Sequence, residues 1–546
     1  MAQLVDVFGF ISVLLRGLNL ALTSLAVGGL VFAALIVPKG LAQFPLDLEC
    51  AMRRSRPWIR RTCFVLVVVQ AFWLAANSAI LMDTTGLSLL QIAGANYFLS
   101  GLVIIAVALA IAVYVSRVQY IHAAAPWMGG LLIAANVATT HALARLESTA
   151  PLLMITALHQ GATAVWAGAL PYWLFSIKGA REFRAAQLLS RRFSTFAAVG
   201  FVCLVSAGLA LSMVYIKSPA AIYGTNYGVM VVAKVLLTGL ILSLAAFNHR
   251  LVRASDGDRI TLLARLRTLG EAEIGIAFTV ILAAASLTSQ PPAVDLITNR
   301  VTIPVIADRM APRLPRLNTP PLASLSPSTR EEWKRTHINT QRAVSYIPGA
   351  APSVPPTEGD IAWSEYNHHW AGVVVLIVGV LAVLARSGVA GWAVHWPLAF
   401  LGLGLFLLLR ADPETWPLGP DGFWESFSSA DVAQHRLFVA LIGLFAVFEW
   451  SVQTGRMRSP KAALVFPGVC ALGGALLMTH THALSNVREE LLAELSHLPL
   501  AILGVAAGWA RWLELRLPKP DRLIPSWIWP ICFVLIGVVL LLYREA

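Results

Sequence analysis

The sequence predicts an all-α, polytopic membrane protein of about 14 transmembrane helices, in two helical bundles joined by a long outer loop. Three observations carry that expectation. Of the 546 residues, 57% are hydrophobic and only 13% charged, far from soluble usage. Apolar runs of about 20 residues recur along the chain, the length that spans a bilayer core. Lys and Arg gather in alternate connections between those runs, as the positive-inside rule describes.

The runs fall near residues 8–36, 62–82, 98–116, 126–144, 152–177, 194–216, 228–248 and 272–290. After a polar stretch come 369–385, 392–410, 435–454, 462–483, 496–514 and 526–543. The first run is longer than a signal-peptide core and has no basic leader, so it reads as the first span. One set of connections carries clusters such as Arg53, Arg54, Arg56, Arg60 and Arg61, or Arg250, Arg253, Arg259, Arg265 and Arg267. The opposite short connections and the C-terminal end hold only Arg145, Lys217, Arg410, Arg436, Arg488 and Arg544. Both termini are therefore expected outside. Residues 291–368, rich in proline, lie on the same outer side and are too polar to span. The expected organisation is an eight-helix membrane domain over 1–290, an outer loop and linker over 291–368, and a six-helix membrane domain over 369–546. The loop is expected to be extended, with capping of an outer site as the alternative.

The net charge of +12 sits in the inner clusters, so it speaks for the lipid bilayer as partner and against nucleic acid. Five scattered cysteines, with no CxxC, support neither a disulfide framework nor a thiolate site. No HExxH, GxSxG or P-loop motif occurs, so the expectation is a protein that is not an enzyme. Arg16, Asn77, Asn136, Lys234 and Glu449 fall within predicted spans and should face protein or water rather than lipid.

The tetrapeptide THAL occurs twice, at Thr140–Leu143 and Thr481–Leu484, each time followed by a second histidine, His159 or His497. Histidine is costly in a bilayer, so His141 with His159, and His482 with His497, are candidate metal or cofactor pairs. His480 lies two residues from His482 and points elsewhere on a helix. His368 and His369, in the segment EYNHHW, are placed just before a helix at residue 369. His435 and His497 are each placed at the opening of a helix. These histidines lie toward the predicted outer face. Imidazole suits copper, zinc, iron or nickel, and thioether suits Cu(I). Met154 and Met478, close in sequence to outer histidines, tilt the choice toward copper, Cu(I) over Cu(II), although methionine in helices mostly packs. The same histidine pairs would serve as axial ligands of haem b in a bis-histidine cytochrome.

The stretch from about 140 to 293 resembles the CopD copper-resistance family of bacterial inner-membrane proteins. The resemblance rests on Leu158-His159-Gln160-Gly161 leading to Trp166-Ala167-Gly168, and on Arg192-Phe193-Ser194 opening a helix that ends Ser206-Ala207-Gly208. Tyr227, Lys234, Asn248-His249-Arg250, Glu273 and Pro291-Pro292 complete it. The part from about 369 is similar to the extension of some larger members. The resemblance implies copper transfer across or into the bacterial inner membrane, with both termini periplasmic and a periplasmic copper carrier as partner. A factor that delivers copper to another cuproprotein without transport is the alternative. The chain departs from that picture in lacking a methionine-rich tract and a cytoplasmic CxxC acceptor, so neither direction of transfer nor oligomeric state follows from the residues.

Overall fold

The computed structural model describes residues 2–144, 149–253, 259–296, 300–325, 357–428, 430–479, 487–519 and 521–545. The described chain is helical throughout, without a β-sheet. Eleven of its helices are long and apolar enough to cross a membrane, and the protein is a polytopic helical membrane protein. Where described, each of the fourteen predicted runs is helical, but five depart from a single α-helix. The run over 8–36 ends in a π-turn at Phe32–Ile36, and 392–410 opens with a 3-10 helix at Gly391–Leu398. Pro126–Val137 and Val465–Leu477 are short, and the run over 152–177 is interrupted by a π-helical turn at Ala164–Gly168. At the first short helix the cause is local. Thr139 and Thr140 turn their hydroxyls onto the carbonyls of Asn136 and Val137, 2.7 Å away in each case, and compete with continued helix.

Residue contacts divide the chain into two compact units. The first to be taken covers Ala2–Ile222 and Met230–Ile297. Its helices are α1 (Ala2–Val31), α2 (Pro45–Thr85), α3 (Asn96–Arg117), α4 (Pro126–Val137), α5 (Thr149–Thr163), α6 (Leu170–Gly179), α7 (Phe183–Tyr215), α8 (Asn226–Arg253) and α9 (Arg259–Thr288). Helix α1 is largely buried and forms the centre, packing on α2, α4, α9 and the π-turn at Ala164–Gly168. There two backbones nearly touch. A Cβ on Gly168 would lie 1.9 Å from the Ser24 carbonyl oxygen, and one on Gly28 would lie 2.3 Å from the Gly168 carbonyl carbon. Glycine alone permits that approach. A second π-turn, Phe32–Ile36, continues α1, and Arg192 donates to its Leu35 carbonyl through Nε and Nη2 at 3.3 and 2.9 Å.

Of the five polar residues expected to avoid lipid, Arg16, Asn136 and Glu449 bond to other side chains of the protein. Asn136 is fully buried and donates to Thr23 Oγ1 at 3.2 Å, and Arg16 donates to Thr139 Oγ1 at 2.7 Å. Asn19 donates to Gln70, and Asn248 to Glu273. In the other unit Glu449 is 1% exposed and accepts from Gln453.

The second unit comprises Tyr223–Val229 and Thr298–Ala546, with Met1. It contains α10 (Ile303–Met310), α11 (Glu358–Ser387), α12 (Ala399–Arg410), α13 (Ala430–Gln453), α14 (Val465–Leu477), α15 (Val487–Arg516) and α16 (Leu523–Leu541). Helix α11 lies along α16, and α15 packs on both α14 and α16. The α11–α16 seam is again made by glycine. A Cβ on Gly372, Gly379 or Gly537 would fall 2.8, 2.5 and 2.5 Å from the backbone nitrogens of Leu541, Val534 and Leu376. Below it Trp396, Phe466, Trp529 and Phe533 form an aromatic core.

Three sequence expectations are corrected here. Helix α11 starts at Glu358, about three turns before residue 369, because Thr357 and Asp360 form a capping box that satisfies the first backbone N–H groups. The segment holding His368 and His369 is thus inside a helix. His497 is likewise three turns into α15 rather than at its opening, and His435 lies in the second turn of α13. The polar stretch after residue 291 is not simply extended where it is described. Helix α10 forms with Pro304 in its first turn, where the missing N–H costs nothing. Residues 309–324 are bonded onto the α11 and α16 ends, as described below.

Substituting Gly168 by Ala should lower the stability of the purified protein by about 1–3 kcal/mol through forced separation of α1. Gly130→Ala, which meets nothing within 4 Å, should leave it unchanged. Thermal unfolding in detergent reads the difference.

Candidate functional site

Three rings meet where α11, α15 and the residues after α16 come together. His368 stacks on Tyr543 with centroids 3.7 Å apart and an interplanar angle of 17°. His497 stands edge-on to both, 6.3 Å from His368 and 5.9 Å from Tyr543. Each histidine binds the carbonyl one turn back on its own helix: His368 Nδ1 to Ser364 O and His497 Nδ1 to Ala493 O, both 2.8 Å. A carbonyl only accepts, so each Nδ1 carries a proton. This is the arrangement in which metal-ligating histidines are ordinarily held.

A carboxylate completes the group. Glu545 Oε2 accepts from the Tyr543 hydroxyl at 2.9 Å and from the Ser364 hydroxyl. Burial, then the neighbouring Glu545 charge, raises the Tyr543 phenol above its ordinary value, so it stays protonated and donates. Burial likewise lowers nearby Arg309.

His369, adjacent in sequence, does something different. Its Nδ1 accepts from the Arg316 backbone N–H at 2.7 Å, so its Nε2–H donates to the Tyr543 carbonyl at 2.9 Å. Both nitrogens are engaged, and His369 acts as a clasp between the proline-rich segment and the chain end. Around it Trp370 donates to Leu317 O, Arg316 pairs with Glu365 at 3.3 Å, and Arg309 donates to Arg544 O. Arg544 in return donates to Asp308 O. The described part of the polar segment therefore covers this end of the unit.

The remaining predicted residues are placed as follows. His435 pairs with Asp412 at 2.7 Å. Met478 is buried at the end of α14. Met154 is 74% exposed on the outside of α5. His480 and His482 lie outside the described residues. His141 begins a four-residue helix, and its side chain is not among those described. His159, in the third turn of α5, donates from Nδ1 to the Leu204 carbonyl at 3.2 Å and lies against Gly208, where a Cβ would come within 3.4 Å of the ring. Among the described residues no group of three or more His, Cys, Asp or Glu is arranged to hold a metal ion.

Sequence reasoning passed over Ser364, Tyr543 and Glu545. Ser364 was findable, since it precedes His368 by four residues on one helix face. Tyr543 and Glu545 carried no signal, because they reach the histidines only through the α11–α16 seam.

The fold and these polar groups define a polytopic helical membrane protein that brings two imidazoles together, each bonded through Nδ1 to its own helix. Residues 187–287, covering most of α7 to α9, match the family described as Copper resistance protein D. The segment includes Lys234, His249, whose Nδ1 is 2.7 Å from Ser194 Oγ, and the Asn248–Glu273 pair. The family's description names copper resistance. No curated protein and no solved structure matches the chain.

Replacing His369 by Ala would leave the Arg316 N–H and Tyr543 carbonyl unpaired. The expected loss is about 1–3 kcal/mol, with faster amide exchange at Arg316 measured by hydrogen–deuterium exchange.

Proposed function

We propose that this protein moves copper across or into the bacterial inner membrane, taking it up at the outer face through histidine rather than catalysing a covalent reaction. The observation that carries the reading is the His368–His497 pair, whose rings meet edge-on while each Nδ1 is held by a carbonyl of its own helix. Two imidazole nitrogens about 2 Å from one ion put their ring centres about 6 Å apart in a two-coordinate arrangement. The observed separation of 6.3 Å is of that size and favours Cu(I) over ions that demand four ligands. The distribution of Lys and Arg supports an outer location for this end of the unit and periplasmic termini. A periplasmic copper carrier is the fitting donor. His159 in the other unit offers a further imidazole whose Nδ1 is held by a carbonyl. Lys234 and Glu273, in the CopD-matched spans, supply intramembrane polar groups.

The Tyr543 ring, 3.7 Å from one histidine and 5.9 Å from the other, packs the space beside both rings and leaves less room for a porphyrin. That favours copper over haem b. Transfer and delivery to another cuproprotein differ only in whether copper reaches the vesicle interior.

Purified protein loaded with Cu(I) under reducing conditions should bind copper, and His368→Ala or His497→Ala should weaken binding by about tenfold or more, one ligand being lost from a two-ligand site. His369→Ala should have a smaller effect. Unchanged affinity in both pair variants would remove the site, and a Soret band in untreated protein would promote the cytochrome. Copper accumulating inside proteoliposomes distinguishes transfer from delivery alone.

A further inference from the structure

Helix α1 carries a charge that neither the fold nor the copper reading explains. Arg16 lies within the first membrane-spanning stretch and lines a cavity of about 340 Å³ in the unit built around α1. Trp73, Tyr97, Thr139, Thr140 and Ser289 also line it. No carboxylate, histidine or thiol is among the lining residues. The guanidinium has five N–H donors and makes one hydrogen bond, to Thr139 Oγ1.

Most of the hydroxyl protons around it are already committed. Thr139 gives its proton to Asn136 O, Thr140 to Val137 O, and Thr288 and Ser289 to Ala285 O. The donors left include the remaining Arg16 N–H groups and the Trp73 indole Nε1–H, which is buried without a hydrogen-bond partner. Among the described lining residues the cavity therefore has a positive charge, spare donors and no anion to meet them. Its walls come from helix ends: α4 stops at Val137, α9 stops at Thr288, and α3 begins at Asn96. That level of a membrane protein is where lipid phosphates lie.

We propose that the Arg16 cavity binds a phosphate-type oxyanion, with the guanidinium fork taking two of its oxygens and the Trp73 N–H a further one. A planar fork matches phosphate geometry, and the low-dielectric surroundings strengthen charge-assisted hydrogen bonds. The same chemistry is offered by a phospholipid headgroup and by free inorganic phosphate.

The test uses the full chain in a maltoside detergent. Thermal stabilisation by inorganic phosphate is measured, and retained phosphatidylglycerol is counted by native mass spectrometry, for the native protein, Arg16→Gln and Trp73→Phe. Arg117→Gln, an exposed helix-end arginine, is the control. Binding should fall about tenfold or more in Arg16→Gln and a few-fold in Trp73→Phe, and be unchanged in the control. An effect seen with phosphate alone assigns a free oxyanion, and an effect confined to retained lipid assigns the headgroup. Trp73→Phe keeps the ring and removes only the donor, so it decides the matter if Arg16→Gln does not fold. Binding that is absent in the native protein, or equal in native protein and Trp73→Phe, overturns the proposal.

Discussion

The structure depends on helix backbones coming into contact where glycine removes the side chain between them. In lipid, burial of apolar surface does not drive helices together, so close packing and hydrogen bonds must. Gly372, Gly379 and Gly537 bring α11 against α16, and Gly28 with Gly168 brings α1 against the π-turn after α5. The first seam has a chemical consequence. Gly372 lies one turn from His368 and His369 and touches the backbone of Leu541, so it sets the position of Tyr543 beside both rings. A side chain at 372 would act on the site without contacting an imidazole.

The cluster at that end separates two uses of histidine by hydrogen bonding alone. His368 and His497 each spend the Nδ1 proton on a carbonyl of their own helix, as metal-ligating histidines ordinarily do. His369 spends both nitrogens on backbone groups from distant parts of the chain, as a structural residue does. Residue type and position could not separate His368 from His369, because neighbours on a helix point about 100° apart and what each one meets depends on the partner helix. In the other unit, His159 and Gly208 show how one motif makes room for another: the glycine leaves the space that the ring fills.

Much of the fold was legible. All fourteen apolar runs are helical where described, since a hydrocarbon solvent leaves helix as the way for one segment to satisfy its own backbone. Helix ends were less so. The Thr357–Asp360 box was present in the sequence but sits in a proline-rich region whose composition argued for a loop. Of the site, the histidines were singled out from their cost in a membrane. The pairing was expected to follow the repeated tetrapeptide; His482 lies outside the described residues, and among the described ones His497 stands beside His368. Met154 illustrates the limit of proximity in sequence: five residues from His159, it lies on the exposed side of the same helix.

By itself, the sequence determined the class of protein: hydropathy and length report transfer into lipid, which is a property of each segment alone. It also determined the family resemblance over the CopD segment, and which residue types were too costly to be there without a purpose. Only the tertiary structure decided which of those residues meet. That Tyr543 and Glu545 join His368, that His369 becomes a clasp, and that Arg16 faces a cavity without a counter-charge all depend on contacts between segments far apart in the chain. Such contacts are set by the shape of helix surfaces at close approach, and a pattern along one strand of sequence carries no information about the surface it will meet.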